Sequence, residues 1–135
     1  MVNARPTVAD YMATDLLTLS PGMEINHAVA VLLERRFSGA PVVDDAGNLV
    51  GVLSKKDCLR AALNATYYQE WGGVVQDYMS KPAAIVEPDL DLVQAAQLFL
   101  DSAYRRFPVT REGKLVGQIS RADLLRAMAE QWNAN

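Results

Sequence analysis

Apolar residues recur along this chain in two rhythms, and the rhythms follow one another in the same order in each half. From residue 24 to about 36, Ile25, Ala28, Val29, Leu32 and Leu33 fall at the three-and-four spacing of a helix with one buried face. Pro41-Val42-Val43, a Gly/Asn turn and residues 49–53 then predict a β-hairpin of buried strands. Ser54 opens a second helix carrying Leu59, Ala62 and Leu63. Ahead of these lie an entry turn at 8–12 and a brief extended segment at 16–19, ended by Ser20-Pro21-Gly22. The second half is expected to copy this order through 84–86, 92–102, 107–109, 116–119 and 122–128.

The copying extends to individual residues. Asp10-Tyr11-Met12 recurs as Asp77-Tyr78-Met79, Pro21 as Pro88, and Ala28, Leu33, Pro41 and Val42 as Ala95, Leu100, Pro108 and Val109, all at one offset. After a one-residue slip, Gly47, Leu49-Val50-Gly51, Ser54, Asp57 and Leu59-Arg60-Ala61 recur as Gly113, Leu115-Val116-Gly117, Ser120, Asp123 and Leu125-Arg126-Ala127. The slip falls where Asp45-Ala46-Gly47-Asn48 faces the shorter Glu112-Gly113-Lys114, and turns tolerate changes of length. The first repeat is placed at 1–66, and a connecting stretch with the second repeat at 67–135. Residues 64–74 match neither repeat, and Gly72-Gly73 mark a break before the second entry helix.

A unit of roughly sixty residues buries a small fraction of its surface and is marginal alone. The expected solution is two units packed sheet against sheet, an α/β (α+β) fold with internal pseudo-twofold symmetry and two equivalent clefts between the halves.

Composition narrows the function. With 50% hydrophobic and 21% charged residues in 135, the chain reads as an ordinary globular protein with a real core. Its net charge of −3 lacks the positive field of a non-specific nucleic-acid binder. Cys58 and His27 are the single cysteine and histidine, so no internal disulfide, zinc set or nucleophile pair is expected. No apolar h-region opens the chain and no stretch approaches bilayer length, which makes the cytoplasm the expected address, with no membrane partner.

Gly51-Val52-Leu53-Ser54-Lys55-Lys56-Asp57 and its copy Gly117-Gln118-Ile119-Ser120-Arg121-Ala122-Asp123 run from a strand into the first turn of a helix. Serine at an N-cap with an acidic residue three later is close to a capping box, which needs no ligand. Together with Pro41-Val42-Val43-Asp44 before one copy and Arg106-Phe107-Pro108-Val109 before the other, the pattern closely resembles the CBS domain, in a tandem pair (Bateman module) covering nearly the whole chain. The ordered set, present twice at matching intervals, carries the resemblance, and implies two CBS-type β-α-β-β-α repeats.

The resemblance also implies a function. A carboxylate in a first helical turn can accept hydrogen bonds from the two hydroxyls of a ribose diol, and in nucleotide-binding CBS pairs the aspartate takes the ribose this way; that role carries to Asp57 and Asp123. Each cleft is expected to mix the Ser-x-x-Asp of one repeat with the early strand and pre-proline segment of the other. The first cleft would join Thr18, Ser38, Gly39 and Ala40 to Ile119, Ser120 and Asp123. The second would join Ala84, Ile85, Arg105 and Arg106 to Leu53, Ser54 and Asp57. Small residues at 38–40 leave room for a flat base or simply allow close helix-to-strand packing. Arg105 and Arg106 stand where several nucleotide-sensing members place phosphate ligands, or form a solvated charge pair. Ile85 stands where the first repeat has Thr18, so the two clefts are not expected to be equally occupied.

Cys58 reads as a small packing residue, His27 as a surface or half-buried position. Tyr67, Tyr68 and Trp71 form an aromatic patch for a partner or pack the connecting stretch over the core. The expected activity is regulatory, without catalysis or cofactor: AMP, ADP or ATP ties the repeats together and alters a homodimer, with Leu59/Leu63 and Leu124/Leu125/Met128 suiting its seam, and the signal passes to a separate regulated protein. The alternatives are a ligand-free interaction dimer, or a sensor of S-adenosylmethionine or another adenosyl compound.

Overall fold

The computed structural model describes residues 5–82 and 84–133. Its elements run α1 (Val8–Tyr11), α2 (Ile25–Arg35), β1 (Gly39–Val43), β2 (Leu49–Ser54), α3 (Lys55–Tyr68), α4 (Val75–Tyr78), α5 (Leu92–Leu100), β3 (Arg106–Arg111), β4 (Lys114–Ser120) and α6 (Arg121–Asn133). The order is the one the two rhythms predict, an α+β chain of two repeats. Of the residues the spacing selects on α2, Ile25, Ala28 and Leu32 are buried and Val29 is half-buried, but Leu33 is exposed, a correction to the expected face; on α5 Leu92, Ala95 and Phe99 are buried.

The chain forms two compact units, and they do not coincide with the sequence halves. One is Leu17–Ala83; the other joins Met1–Leu16 to Ala84–Asn135. Each unit takes its entry segment from the other half of the sequence. In the Leu17–Ala83 unit, β1 and β2 pair antiparallel, Leu19 bridges Val42 in parallel on one side, and Ser80, just past α4, bridges Val52 on the other. In the second unit, β3 and β4 pair antiparallel, with Val86 beside Val109 and Ala13, just past α1, beside Gln118. The short helices are tied down by backbone bonds: the Val75 N–H donates to Met23 O at 2.8 Å, and the Val8 N–H to Leu90 O at 2.9 Å.

The hairpin turns explain the one-residue slip. Glu112 and Gly113 both adopt positive φ, 53° and 82°, the mirror-image two-residue turn that suits twisted strands. The first hairpin instead uses a longer loop, in which Asp44 Oδ1 accepts the N–H groups of Ala46 and Asn48 at 3.0 and 2.9 Å. Both hairpins carry a register irregularity, between Val42 and Val43 and between Val109 and Thr110.

Each unit has its own core. Leu19, Ile25, Ala28, Leu32, Val42 and Leu53 are the heart of one, Val86, Leu92, Ala95, Phe99, Val109 and Ile119 of the other. Val75 from α4 joins the first and Val8 from α1 the second, both fully buried. Two sequence expectations need correction. The stretch 64–74 does not begin as a connector: α3 continues through Tyr68, since residues 64–68 contain no glycine or proline, and ends where Gln69 takes a left-handed conformation. Tyr67 and Tyr68 stand exposed, edge to face with ring centroids 5.0 Å apart, so they do not pack over the core. On α6, Leu124 is a core residue rather than part of an exposed seam, whereas Leu59, Leu63 and Leu125 are exposed.

Candidate functional site

The two Ser-x-x-Asp segments sit at the junctions β2–α3 and β4–α6, and both build the cap expected of them. At the first, the Asp57 N–H donates to Ser54 Oγ at 3.2 Å, while the Ser54 N–H and hydroxyl both donate to Asp57 Oδ2 at 2.9 Å. At the second, the Asp123 N–H donates to Ser120 Oγ at 3.1 Å and the Ser120 N–H to Asp123 Oδ2 at 3.0 Å. A serine oxygen thus satisfies an orphan amide of the first turn, and the carboxylate returns the favour while facing the positive end of the helix.

The same hairpins bring the pre-strand residues to these junctions. The Lys55 N–H donates to Ser38 O at 2.9 Å, and the Arg121 N–H to Arg105 O at 3.0 Å. Gly39 pairs with Ser54 and Ala40 with Leu53; Arg106 pairs with Ser120. Within the Leu17–Ala83 unit, Ser38, Gly39, Ala40, Leu53, Ser54 and Asp57 are therefore neighbours, and in the other unit Arg105, Arg106, Ile119, Ser120 and Asp123 are. Gly39 has a packing reason of its own, since a Cβ there would stand 2.7 Å from Leu53 O.

The predicted residues differ in what they expose. Thr18, Ser38, Ile85, Arg105 and Arg106 are exposed, and Ala84 is half-buried. Ala40, Leu53 and Ile119 bury their side chains in the cores, which leaves only their backbone for a ligand. Arg105 and Arg106 join no ion pair among the described residues. Cys58 is half-buried, and burial, seconded by the neighbouring negative Asp57, pushes its thiol pKa up. His27 is exposed on α2.

The two carboxylates are not in equivalent surroundings. Asp57 is 2% exposed and has further donors on Oδ1, the Arg60 guanidinium at 3.1 Å and the Ser80 hydroxyl at 3.1 Å. Asp123 keeps the matching arginine, Arg126 at 3.2 Å, but the position that matches Ser80 is Ala13. Sequence reasoning missed Ser80 and both arginines. The arginines repeat at the same three-residue step after each aspartate, and Ser80 is a hydroxyl following the second Asp-Tyr-Met where an alanine follows the first.

Among the described residues no group of three or more His, Cys, Asp or Glu side chains could hold a metal, and no helix is long and apolar enough to cross a membrane. What the junctions offer is, in one unit, a carboxylate with the exposed Ser38 and half-buried Gly39 near it and, in the other, a carboxylate with the exposed Arg105 and Arg106 near it.

Comparison with known proteins adds to this geometry. The family profile described as CBS domain matches residues 8–64 and 75–130. The chloroplastic CBS domain-containing protein CBSX1 of Arabidopsis thaliana is 30% identical over 149 residues, covering 90% of this chain and 63% of its own length. The CBS domain-containing protein YhcV of Bacillus subtilis is 31% identical over 119 residues, 87% of this chain and 82% of its own. Among solved structures, CBSX2 of Arabidopsis thaliana in complex with AMP superposes with a TM-score of 0.80 at 33% identity, over 93% of this chain and 98% of that one. The chain spans 45% of a relative from Methanocaldococcus jannaschii and 64% of full CBSX2, so it matches only part of those proteins.

Proposed function

The chain belongs to the CBS-domain family, matched twice in tandem, and from that premise we propose that it is a regulatory module that binds an adenine nucleotide and performs no reaction of its own. The observation that carries this reading is the pair of aspartates at the strand-to-helix junctions, in a chain whose 33%-identical structural neighbour CBSX2 is solved with AMP. A carboxylate held in a first helical turn is pre-oriented, and the acceptor sites it has free, or that a neighbouring hydroxyl gives up, suit the adjacent hydroxyls a ribose presents. Arg105 and Arg106, exposed and without ion-pair partners among the described residues, are the side chains proposed to meet phosphate. Differential binding to two conformations is how such a module signals, and the receiver is a separate protein or domain.

The reading is tested by thermal unfolding and calorimetry with AMP, ADP, ATP and S-adenosylmethionine. Binding at 100 times Kd raises stability by about 2.7 kcal/mol, which is visible as a higher Tm. If none of the four alters Tm at millimolar concentration, the reading is wrong. Charge reversal at Arg105 and Arg106 separates the ligands, since it weakens a phosphate-bearing nucleotide and leaves S-adenosylmethionine untouched.

A second property is favoured by a specific observation. Leu59 and Leu63 on α3 and Leu125 and Trp132 on α6 leave large apolar side chains exposed. We propose that these helix faces close a homodimer, as an apolar face left in water is otherwise an association hazard. Sedimentation of the chain against a Leu63→Glu, Leu125→Glu variant tests it: the variant is expected to run as a monomer.

A further inference from the structure

Ser80 and Ala13 occupy the same position in the two units. Each follows an Asp-Tyr-Met turn, and each bridges the strand that leads to the aspartate, Ser80 to Val52 on β2 and Ala13 to Gln118 on β4. The backbone scaffolds match: the Val52 N–H donates to Ser80 O at 2.8 Å and the Gln118 N–H to Ala13 O at 2.9 Å. What differs is one hydroxyl. In the Leu17–Ala83 unit it reaches Asp57 Oδ1, and in the other unit there is a methyl group in its place.

That hydroxyl changes what the carboxylate can still accept. Asp57 receives the Ser54 N–H, the Ser54 hydroxyl, the Ser80 hydroxyl and the Arg60 guanidinium, which together fill the sites of a carboxylate. Asp123 receives, among the described residues, the Ser120 N–H and the Arg126 guanidinium. Exposure agrees with the count: the Asp57 side chain is 3% exposed, the Asp123 side chain 18%. Ser80 itself is exposed, and its hydrogen bond to Asp57 is partly buried.

We infer that Ser80 is an internal stand-in for a ligand hydroxyl, so that the two sites are graded: Asp123 takes a ribose first, and Asp57 only when Ser80 is displaced. The inference rests on the nucleotide-binding reading and adds which site fills and which residue decides. Its physical basis is exchange. A diol arriving at Asp123 gains hydrogen bonds to a charged acceptor that had lone pairs to spare. The same diol at Asp57 trades one hydroxyl for another and gains nothing at that atom.

Calorimetry with AMP on three proteins tests this, the chain itself and the reciprocal variants Ser80→Ala and Ala13→Ser. The unaltered chain is expected to bind AMP at one tight site per chain. Ser80→Ala frees a lone pair on a buried carboxylate and is expected to add a second site of comparable affinity. Ala13→Ser transfers the hydroxyl to the other unit and is expected to weaken the first site by about tenfold, the worth of one hydrogen bond to a charged group. Two equal sites in the unaltered chain, or a stoichiometry that Ser80→Ala leaves at one, would overturn the grading while nucleotide binding stood. An absence of heat with all three proteins would overturn nucleotide binding and the grading with it. Because Ser80 is exposed, the variant is expected to keep the far-UV spectrum of the parent; should it unfold, a first site unaffected by Ala13→Ser would still sink the inference.

Discussion

Met12 lies directly over Gly117, and the strand and the entry segment approach so closely there that a Cβ on the glycine would also stand 2.9 Å from Ala13 O. Gly51 and Met79 repeat the relationship in the other unit, with Ser80 O at 3.1 Å. The glycine of each Leu-Val-Gly thus leaves room for the methionine of the Asp-Tyr-Met taken from the other half of the sequence and for the backbone oxygen that follows it.

Gly117→Ala is therefore expected to destabilise the chain by about 1–3 kcal/mol, the usual cost of forcing an extra carbon into a packed contact. Gly51→Ala is expected to cost less, since its nearest backbone atom is farther away. Urea unfolding reads both, and equal stability of Gly117→Ala and the parent would contradict the packing described.

Leu124 and Leu125 give a second contrast, 4% and 72% exposed on adjacent positions of α6. Leu124→Ala is expected to cost about 2–5 kcal/mol, and Leu125→Ala to stay within about 0.5 kcal/mol in the monomer. Measured side by side by chemical unfolding at low protein concentration, a reversal of that order would put the phase of α6 in error.

Asp91 caps α5 through the Val93 N–H, which donates to its Oδ1 at 2.7 Å, and Arg5 lies 3.4 Å from its Oδ2. The backbone bond first, and Arg5 after it, hold its carboxyl below the ordinary carboxylate pKa. A depressed pKa contributes stability that is present above the unfolded value of about 3.9 and is lost as pH falls through the folded one. Asp91→Asn keeps a good cap and removes the titration. It is expected to flatten that part of the acid limb in urea midpoints measured between about pH 5 and 2; an unchanged slope would remove Asp91 as a contributor.

Cys58 leads to the opposite sign. Its thiol pKa is raised, so the folded chain favours the protonated form, and the associated stability declines as pH rises above the ordinary thiol value of about 8.5. Labelling by a thiol-specific disulfide reagent at about pH 8 is expected to be slower in the native chain than in urea. A native rate equal to the unfolded one would show that the side chain is neither shielded nor shifted.

Sequence alone determined the repeat, the order of its elements and the two Ser-x-x-Asp junctions, because helix periodicity, strand runs and capping are set by residues within a few positions of one another. It also placed Asp57 and Asp123 in first helical turns, where the cap bonds hold them. Only the tertiary structure decided which half each entry segment joins, since the pairing of Ala13 with Gln118 spans most of the chain and leaves no local trace. The same holds for Ser80 on Asp57, 23 residues apart, and for the burial of Leu124 beside an exposed Leu125. A hydrogen bond between distant residues depends on where packing brings their backbones, and no spacing rule along the chain records that.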